Sequence, residues 1–219
     1  MRVFWTGVDF LVWLGLGLPS LLLGSAIADM ISWVQPVKPI VAQFLFYLIW
    51  FLLLKLLLQL KYAEPFWPSL GWITPNKGLW LCLASGPVLA IGLNFLAQVM
   101  KAKPVDAPFQ DLLFNKNLQV LFGIASVLAG PLCEELAFRG FLMPLLVKWI
   151  GVAGGIAATG ATFASAHGPQ YKWMWQYVVL LTIAGSVFGL VRWKYSSTMS
   201  STVLHSSFNL TVFLFHLYG

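Results

Sequence analysis

Two adjacent glutamates, Glu134 and Glu135, lie in the middle of a strongly apolar stretch of the chain. The whole sequence has seven acidic residues, so two neighbours inside a hydrophobic run are conspicuous. Moving a carboxylate into hydrocarbon is costly, and ionisable groups at membrane depth usually serve a function. Arg139 follows four residues after Glu135. These three side chains are therefore the first candidates for chemistry.

The spacing of the three charges predicts different tasks for the two glutamates. Residues four apart share a face of a helix, so Glu135 and Arg139 are able to pair. Glu134 lies about 140° away from Arg139 around the helix. Burial beside a like charge favours proton binding by one carboxylate, which suits a general base. Gly130 and Pro131, just upstream, are able to open the helix locally. The alternative is a purely structural Glu135–Arg139 lock between helices.

Two of the three histidines also lie in apolar segments with a companion at helical spacing. His167 follows Phe163 by four residues, and His205 precedes Asn209 by four. His216 has no polar companion and is predicted to be an interfacial residue. Each histidine alone is explained by hydrogen bonding between helices. Together, a carboxylate, two imidazoles and an amide are the parts of a hydrolase: a water activator and donors for an oxyanion.

The composition indicates that these groups are held in a membrane. The chain of 219 residues is 59% hydrophobic and 9% charged, whereas soluble domains are about 45–50% apolar and about 25% charged. Eleven tryptophans suit the aromatic belts at the two membrane interfaces. We therefore predict an all-α, polytopic integral membrane protein.

The net charge of +6 does not indicate nucleic acid. The Lys and Arg residues are scattered singly or in pairs between apolar runs, as in loops that contact anionic lipid. Cys82 and Cys133 both lie in apolar segments and are interpreted as small buried hydrophobes rather than a disulfide framework.

Hydrophobic runs divide the chain into seven predicted membrane helices. An eighth results if the fourth run breaks near Gly140 or Pro144. The first run is interpreted as an uncleaved helix, with a signal peptide as the alternative. A single domain over residues 1–219 is predicted, with the motif-bearing core at 118–217, and residues 101–117 are predicted to be interfacial. The predicted helices cover approximately residues 10–31, 40–60, 79–100, 118–149, 150–166, 173–191 and 199–218.

The three motifs resemble those of the CPBP family of intramembrane proteases, which includes CAAX prenyl endopeptidases and bacteriocin self-immunity proteins and is also called the abortive-infection family. Glu134-Glu-Leu-Ala-Phe-Arg139 resembles the family's Glu-Glu-x-x-x-Arg motif. Phe163-x-x-x-His167 resembles the second motif, and His205-x-x-x-Asn209 the third. The order and approximate separation of the motifs also agree with the family pattern.

The resemblance implies an all-helical bundle with an intramembrane polar cavity open toward one membrane face, and an endopeptidase activity. Glu134 would activate water with the assistance of His167, and His205 and Asn209 would hold the oxyanion. Glu135 and Arg139 would form the supporting pair. The substrates implied are membrane-associated peptides or proteins, including lipidated, CAAX-like ones.

Zinc is the cofactor that the sequence leaves open. Two histidines and a glutamate form a common catalytic zinc site, so Glu134, His167 and His205 are the candidate ligands. No His-Glu-x-x-His helix is present in the sequence. We favour a metal-free, glutamate-type peptidase, with a metalloprotease as the alternative.

Two other functions fit the same residues. A non-catalytic scaffold or bacteriocin self-immunity protein would bind a peptide in the same cavity without cleaving it. A transporter would use the glutamates and histidines as a relay, although the sequence has no internal repeat. The predicted location is a bacterial cytoplasmic membrane, with membrane lipid and a peptide or protein substrate as partners. The sequence makes no prediction about the identity of the substrate or about oligomerisation.

Overall fold

The computed structural model of the protein describes residues 5–31, 37–105 and 116–218, with the exception of the Asn117 side chain. Within these ranges the chain forms helices and connecting turns, without a β-strand. The predicted all-α class is therefore confirmed. Much of the segment predicted to be interfacial, including Asp106 and Asp111, lies outside the described residues.

The described residues form two compact units, residues 5–69 and residues 70–218. The first contains α1 (Gly7–Met30), α2 (Lys38–Leu57), a π-helical extension of α2 (Leu58–Tyr62) and the short α3 (Phe66–Ser69). The prediction of a single domain stays a prediction.

Local sequence explains where α1 begins and how it pairs with α2. The Thr6 hydroxyl oxygen accepts from the Asp9 backbone N–H, and the Asp9 carboxylate accepts from the Thr6 backbone N–H, which is a capping box. Trp13 of α1 stacks on Trp50 of α2, with 3.8 Å between the ring centroids. Gly24 permits a close approach of the α2 backbone. These contacts hold α1 against α2.

The second unit carries all the predicted motif residues. Its helices are α4 (Leu79–Val99), α5 (Lys116–Ile124), α6 (Gly130–Glu135), α7 (Met143–Ala166), α8 (Trp175–Tyr195) and α9 (Thr198–Tyr218). Two wide π-helical segments, Ala125–Ala129 and Leu136–Leu142, join α5 to α6 and α6 to α7. A 3₁₀ turn, Pro169–Tyr171, precedes α8.

The helical path from α5 to α7 continues through Gly140 and Pro144, where a break was the alternative to a continuous helix. The backbone instead departs from helical angles at Ile150 and Gly151, the latter with φ of 76°. Glycine adopts this left-handed conformation without the steric cost of a side chain. The break coincides with the boundary predicted between the fourth and fifth hydrophobic runs.

Five helical segments within the described ranges are long and apolar enough to cross a membrane. They are Gly7–Met30, Lys38–Tyr62, Leu79–Val99, Leu118–Ala166 and Trp175–Tyr195. The protein is therefore an integral membrane protein. Helix α9 is less apolar because hydroxyl side chains fill its first half. The count of seven to eight spans and the polar cavity stay predictions.

Small residues bring α7 and α8 together, as the Gly- and Ala-rich sequence of α7 indicates. A Cβ atom placed on Gly185 of α8 would lie 3.0 Å from the Cα atom of Gly160 in α7. Side chains at these positions would force the helices apart. The close approach matters for the site because Gly185 also contacts Arg139.

Candidate active site

The two glutamates lie at the end of α6, between the two wide helical segments. Pro131 has no N–H to donate, and the Gly130 N–H reaches back five residues to the Ala125 carbonyl. The helix is therefore wider than an α-helix just before the glutamates, and it widens again just after them. Wide turns of this kind are frequent at functional sites. The sequence predicted a local opening at Gly130 and Pro131, but not the second wide segment.

Glu135 and Arg139 form the ion pair that their spacing predicted. The Arg139 Nη1 atom lies 2.9 Å from the Glu135 Oε1 atom, and both side chains are fully buried. Arg139 also donates from Nη2 to the Gly185 carbonyl of α8, at 2.7 Å. The pair therefore ties the glutamate segment to α8.

Glu134 points to both motif histidines. Its Oε2 atom lies 3.9 Å from His167 Nε2 and 3.8 Å from His205 Nε2. The Glu134 side chain is 14% exposed, whereas that of Glu135 is fully buried. The neighbouring carboxylates thus have the separate environments that the helix geometry suggested: one holds the arginine, and the other faces two imidazoles.

The hydrogen bonds of the histidine rings define which nitrogen carries a proton. His167 Nδ1 lies 2.9 Å from the Phe163 carbonyl, which only accepts, so Nδ1 is the donor. His205 Nδ1 lies 3.0 Å from Glu135 Oε1, and a carboxylate likewise only accepts. In each neutral ring the lone pair is therefore on Nε2, the atom that faces Glu134.

Three phenylalanines surround the Arg139 guanidinium. Its Cζ atom lies 4.8 Å from the ring centroid of Phe163, 5.3 Å from that of Phe188 and 5.8 Å from that of Phe138. Arg139 Nε is buried without a hydrogen-bond partner among the described residues. Cation–π attraction from the rings partly compensates for the missing partner. Phe163 belongs to a predicted motif, whereas no sequence pattern singled out Phe138 or Phe188.

Asn209 lies one helical turn beyond His205 on α9. Its Nδ2 atom donates to the Ser126 carbonyl at 2.8 Å, which ties α9 to the first wide segment. The second N–H of the amide is left for another acceptor. The structure joins Glu134, Glu135, Arg139, His167 and His205 by direct contacts. It shows no such contact for Asn209 within the described residues, where this amide bonds to the Ser126 carbonyl. The hydrogen bond from Asn209 to the Ser126 carbonyl was not predicted from the sequence.

His216 is exposed and, within the described residues, its ring bonds to the Val212 carbonyl of its own helix at 2.8 Å. Cys82 is buried and Cys133 half-buried, and neither forms a disulfide. The interpretation of Cys82 as a buried side chain is therefore confirmed, while the interfacial position of His216 stays a prediction.

The candidate zinc ligands have the appropriate chemistry but not the appropriate arrangement. Zinc binds imidazole nitrogen at about 2.0–2.1 Å, which places tetrahedral ligand atoms about 3.3 Å apart. The Nε2 atoms of both histidines are further than this from Glu134 Oε2, at 3.9 and 3.8 Å. Within the described residues, no three acidic, histidine or cysteine side chains converge to hold a metal ion. The residues as placed do not fit zinc.

Tyr171 is a neighbour of the site that sequence reasoning did not single out. It lies in the 3₁₀ turn four residues after His167 and stacks on Tyr177, with 4.7 Å between the ring centroids. Burial raises the pKa of the Tyr171 hydroxyl, and the charges of Tyr177 and Glu134 raise it further. Tyr177 in turn donates to the Lys103 carbonyl at 3.0 Å.

Comparison with known proteins agrees with the motifs. Residues 116–211 match a protein-family model described as "type II CAAX prenyl endopeptidase Rce1-like". The matched region includes every residue of the three motifs. No curated protein and no solved structure matches the chain. Over residues 116–211 the chain is therefore similar to the Rce1-like, type II CAAX prenyl endopeptidases, which belong to the CPBP group that its motifs resemble.

Proposed function

We propose that the protein is an intramembrane endopeptidase that hydrolyses peptide bonds of membrane-associated substrates, with lipidated, CAAX-like carboxyl-terminal segments as the candidate substrate class. The observation that carries the proposal is the position of one Glu134 oxygen opposite the Nε2 atoms of His167 and His205. This arrangement is suited to activating water beside donors for a developing negative charge.

A water molecule is able to bridge Glu134 and His167. Both facing atoms are acceptors when His167 is neutral, and they are 3.9 Å apart. One water donates a hydrogen bond of about 2.8 Å to each of two such acceptors. Its oxygen lone pair then remains free to attack a carbonyl carbon. Because the Glu134 side chain is 14% exposed, we expect a water molecule to reach it.

In the proposed reaction the water oxygen bonds to the scissile carbonyl carbon while Glu134 accepts the water proton. The carbonyl oxygen becomes an oxyanion in the tetrahedral intermediate. Glu134 then passes the proton to the leaving amide nitrogen as the carbon–nitrogen bond breaks. The products are a new carboxyl terminus and a free amine, and the glutamate returns to its starting state.

His205 and Asn209 are the proposed donors for the oxyanion. His205 uses its Nδ1 proton for Glu135, so donation from Nε2 requires the protonated ring. The protonated ring would balance the charges of the cluster, in which two glutamates face Arg139 and His205. Asn209 would contribute the N–H that is not used by Ser126. Preorganised donors of this type stabilise acyl-transfer transition states strongly.

Glu135 and Arg139 are proposed to orient the site rather than to react. Glu135 accepts from both Arg139 and His205 through the same oxygen. This fixes the His205 ring in the orientation that directs Nε2 to Glu134. The full burial of both side chains separates them from water and substrate.

The proposal is tested with purified protein in lipid nanodiscs and a library of membrane-associated peptides, with and without an isoprenoid on a cysteine near the carboxyl terminus. We expect the wild type to cleave, and Glu134→Gln and His167→Gln to lose cleavage while remaining folded. His216→Gln is the matched control, because this exposed histidine lies outside the cluster. Normal cleavage by Glu134→Gln would overturn the proposal. Peptide binding without turnover by the wild type would instead favour the scaffold or self-immunity alternative.

A further inference from the structure

Phe188 of α8 contacts two different parts of the candidate site, although it belongs to none of the sequence motifs. Its ring stacks on the His205 imidazole, with 4.4 Å between centroids and 23° between the ring planes. The same ring lies 5.3 Å from the Arg139 Cζ atom. Phe188 is fully buried, so these contacts define its environment.

Phe188 covers a face of the His205 ring, while Phe163 meets the same ring nearly at a right angle. The Phe163–His205 centroid distance is 5.6 Å, with 79° between the planes. Aromatic side chains in offset-stacked and edge-to-face pairs attract each other. The stacked phenyl ring opposes rotation of the imidazole out of its plane, which would remove Nδ1 from Glu135 and Nε2 from Glu134.

We propose that Phe188 is a positioning residue for the hydrolysis: it holds the His205 imidazole between Glu135 and Glu134 and shields the Glu135–Arg139 pair from water. This inference rests on the proposed function. Phe188 does not touch the reacting atoms and acts through His205 and Arg139. It is therefore expected to affect the rate of the chemical step more than substrate binding.

The adjacent Phe208 provides a matched control. Its ring lies 5.8 Å from that of Phe188 at an angle of 73°, and it packs against the same hydrophobic cluster. Within the described residues it has no ring contact with His205. Phe208→Leu therefore measures the effect of lost packing in this cluster without a ring contact to His205, at a position that is half-buried where Phe188 is fully buried.

The experiment compares Phe188→Leu with Phe208→Leu by steady-state kinetics and by nitrogen NMR of histidine-labelled protein in nanodiscs. We expect kcat of Phe188→Leu to fall about 10- to 100-fold, since small misplacements of catalytic groups have effects of this size. KM should be nearly unchanged. The His205 nitrogen signals should shift or broaden in Phe188→Leu and stay in place in Phe208→Leu.

Unchanged His205 signals in Phe188→Leu would overturn the proposal whatever the activity, because they would leave only a packing function. Equal kcat values for the two variants would also overturn it. If Phe188→Leu does not fold, Phe188→Met, which also lacks the flat ring, takes its place. An inactive wild type would refute the proposed function, while the His205 signals would still decide whether Phe188 positions the ring.

Discussion

The Arg139 guanidinium donates to Glu135 Oε1 at 2.9 Å, in an ion pair of which neither side chain is exposed. Oε1 is shared with His205, while Glu135 Oε2 and Arg139 Nε have no hydrogen-bond partner within the described ranges. Removing both charges from water costs free energy, so each charged side chain is tolerated in the interior only while its partner is present. The pair thus couples the folding of the glutamate segment to the orientation of His205.

Breaking this pair should destabilise the protein more than removing the neighbouring charge. Loss of one partner of a buried ion pair costs roughly 3–5 kcal/mol, because the other charge is left uncompensated. We expect Arg139→Gln and Glu135→Gln each to show a loss of this size in unfolding measurements in lipid bilayers. Glu134→Gln should change stability by less than about 1 kcal/mol. Equal losses of unfolding free energy in all three variants would contradict the assignment of Glu135 and Arg139 as a buried ion pair that does not depend on Glu134.

A double-mutant cycle isolates the interaction between Glu135 and Arg139. The variant with both substitutions should be considerably more stable than the sum of the two single losses implies, because no lone buried charge remains. Additive losses would mean that the two side chains stabilise the fold independently.

Asn209→Ala should lower kcat about 10²- to 10³-fold, the usual effect of removing one oxyanion donor, with little change in KM. Asn209 also donates to Ser126, so unfolding must be measured in parallel to separate a catalytic loss from a structural one. Asn94→Ala is the control, since Asn94 is an exposed amide on α4. A kcat that remains close to the wild-type value would exclude Asn209 as an oxyanion donor.

The sequence predicted the parts of the site that depend on local geometry. The Glu135–Arg139 pair follows from four-residue spacing, which places two side chains on one face in wide as well as regular helical turns. The approach of His167 and His205 to Glu134 was implied only by the family resemblance. It depends on how α7 and α9 pack against the glutamate segment, and spacing along the chain carries no such information.

Local spacing also carries no information about the wide helical segments or about the phenylalanines around Arg139, so neither could be predicted. Hydrophobic periodicity identifies a helix but does not distinguish an α-turn from a π-turn, since a single extra residue shifts the pattern only slightly. Phe188 is one apolar residue among many in α8, and its contact with His205 results from tertiary packing. The stacking of Phe188 on His205 can be recognised only once α8 and α9 are packed against each other.

Cleavage should survive exhaustive chelation. Glu134 Oε2 lies 3.8 and 3.9 Å from the two histidine nitrogens, an arrangement that suits a bridging water better than a shared zinc ion. The measurement is turnover after dialysis against a strong chelator, together with the metal content of the purified protein. Loss of turnover that stoichiometric zinc restores would replace the glutamate mechanism with a metal-assisted one.

Asp9→Asn should destabilise the unit of residues 5–69. Asp9 is almost fully buried and accepts hydrogen bonds from the Thr6 backbone and hydroxyl, both at 2.7 Å, from Lys61 at 2.6 Å, and from Tyr62. Hydrogen bonds to a charged group contribute roughly 1.5–3 kcal/mol each to stability. Asp29→Asn is the control, because its ion pair with Lys38 is exposed and such pairs contribute little. Limited proteolysis should cut the Asp9→Asn variant faster within this unit, and equal rates for both variants would contradict the prediction.

The Tyr171 hydroxyl should make the protein sensitive to alkaline pH. Burial raises its pKa above the ordinary value of 10.0, so the folded state keeps the proton longer than the unfolded state. Above the ordinary value the unfolded chain therefore binds fewer protons, and the free energy of unfolding falls by up to about 1.4 kcal/mol per pH unit until the folded pKa is reached. Well below pH 10.0 the Tyr171 hydroxyl is protonated in both the folded and the unfolded state, so it does not make the free energy of unfolding depend on pH. Tyr171→Phe should flatten the alkaline decline in unfolding measurements, whereas Tyr218→Phe, at an exposed position, should leave it unchanged. The same decline in Tyr171→Phe and the wild type would show that other groups control the alkaline limit.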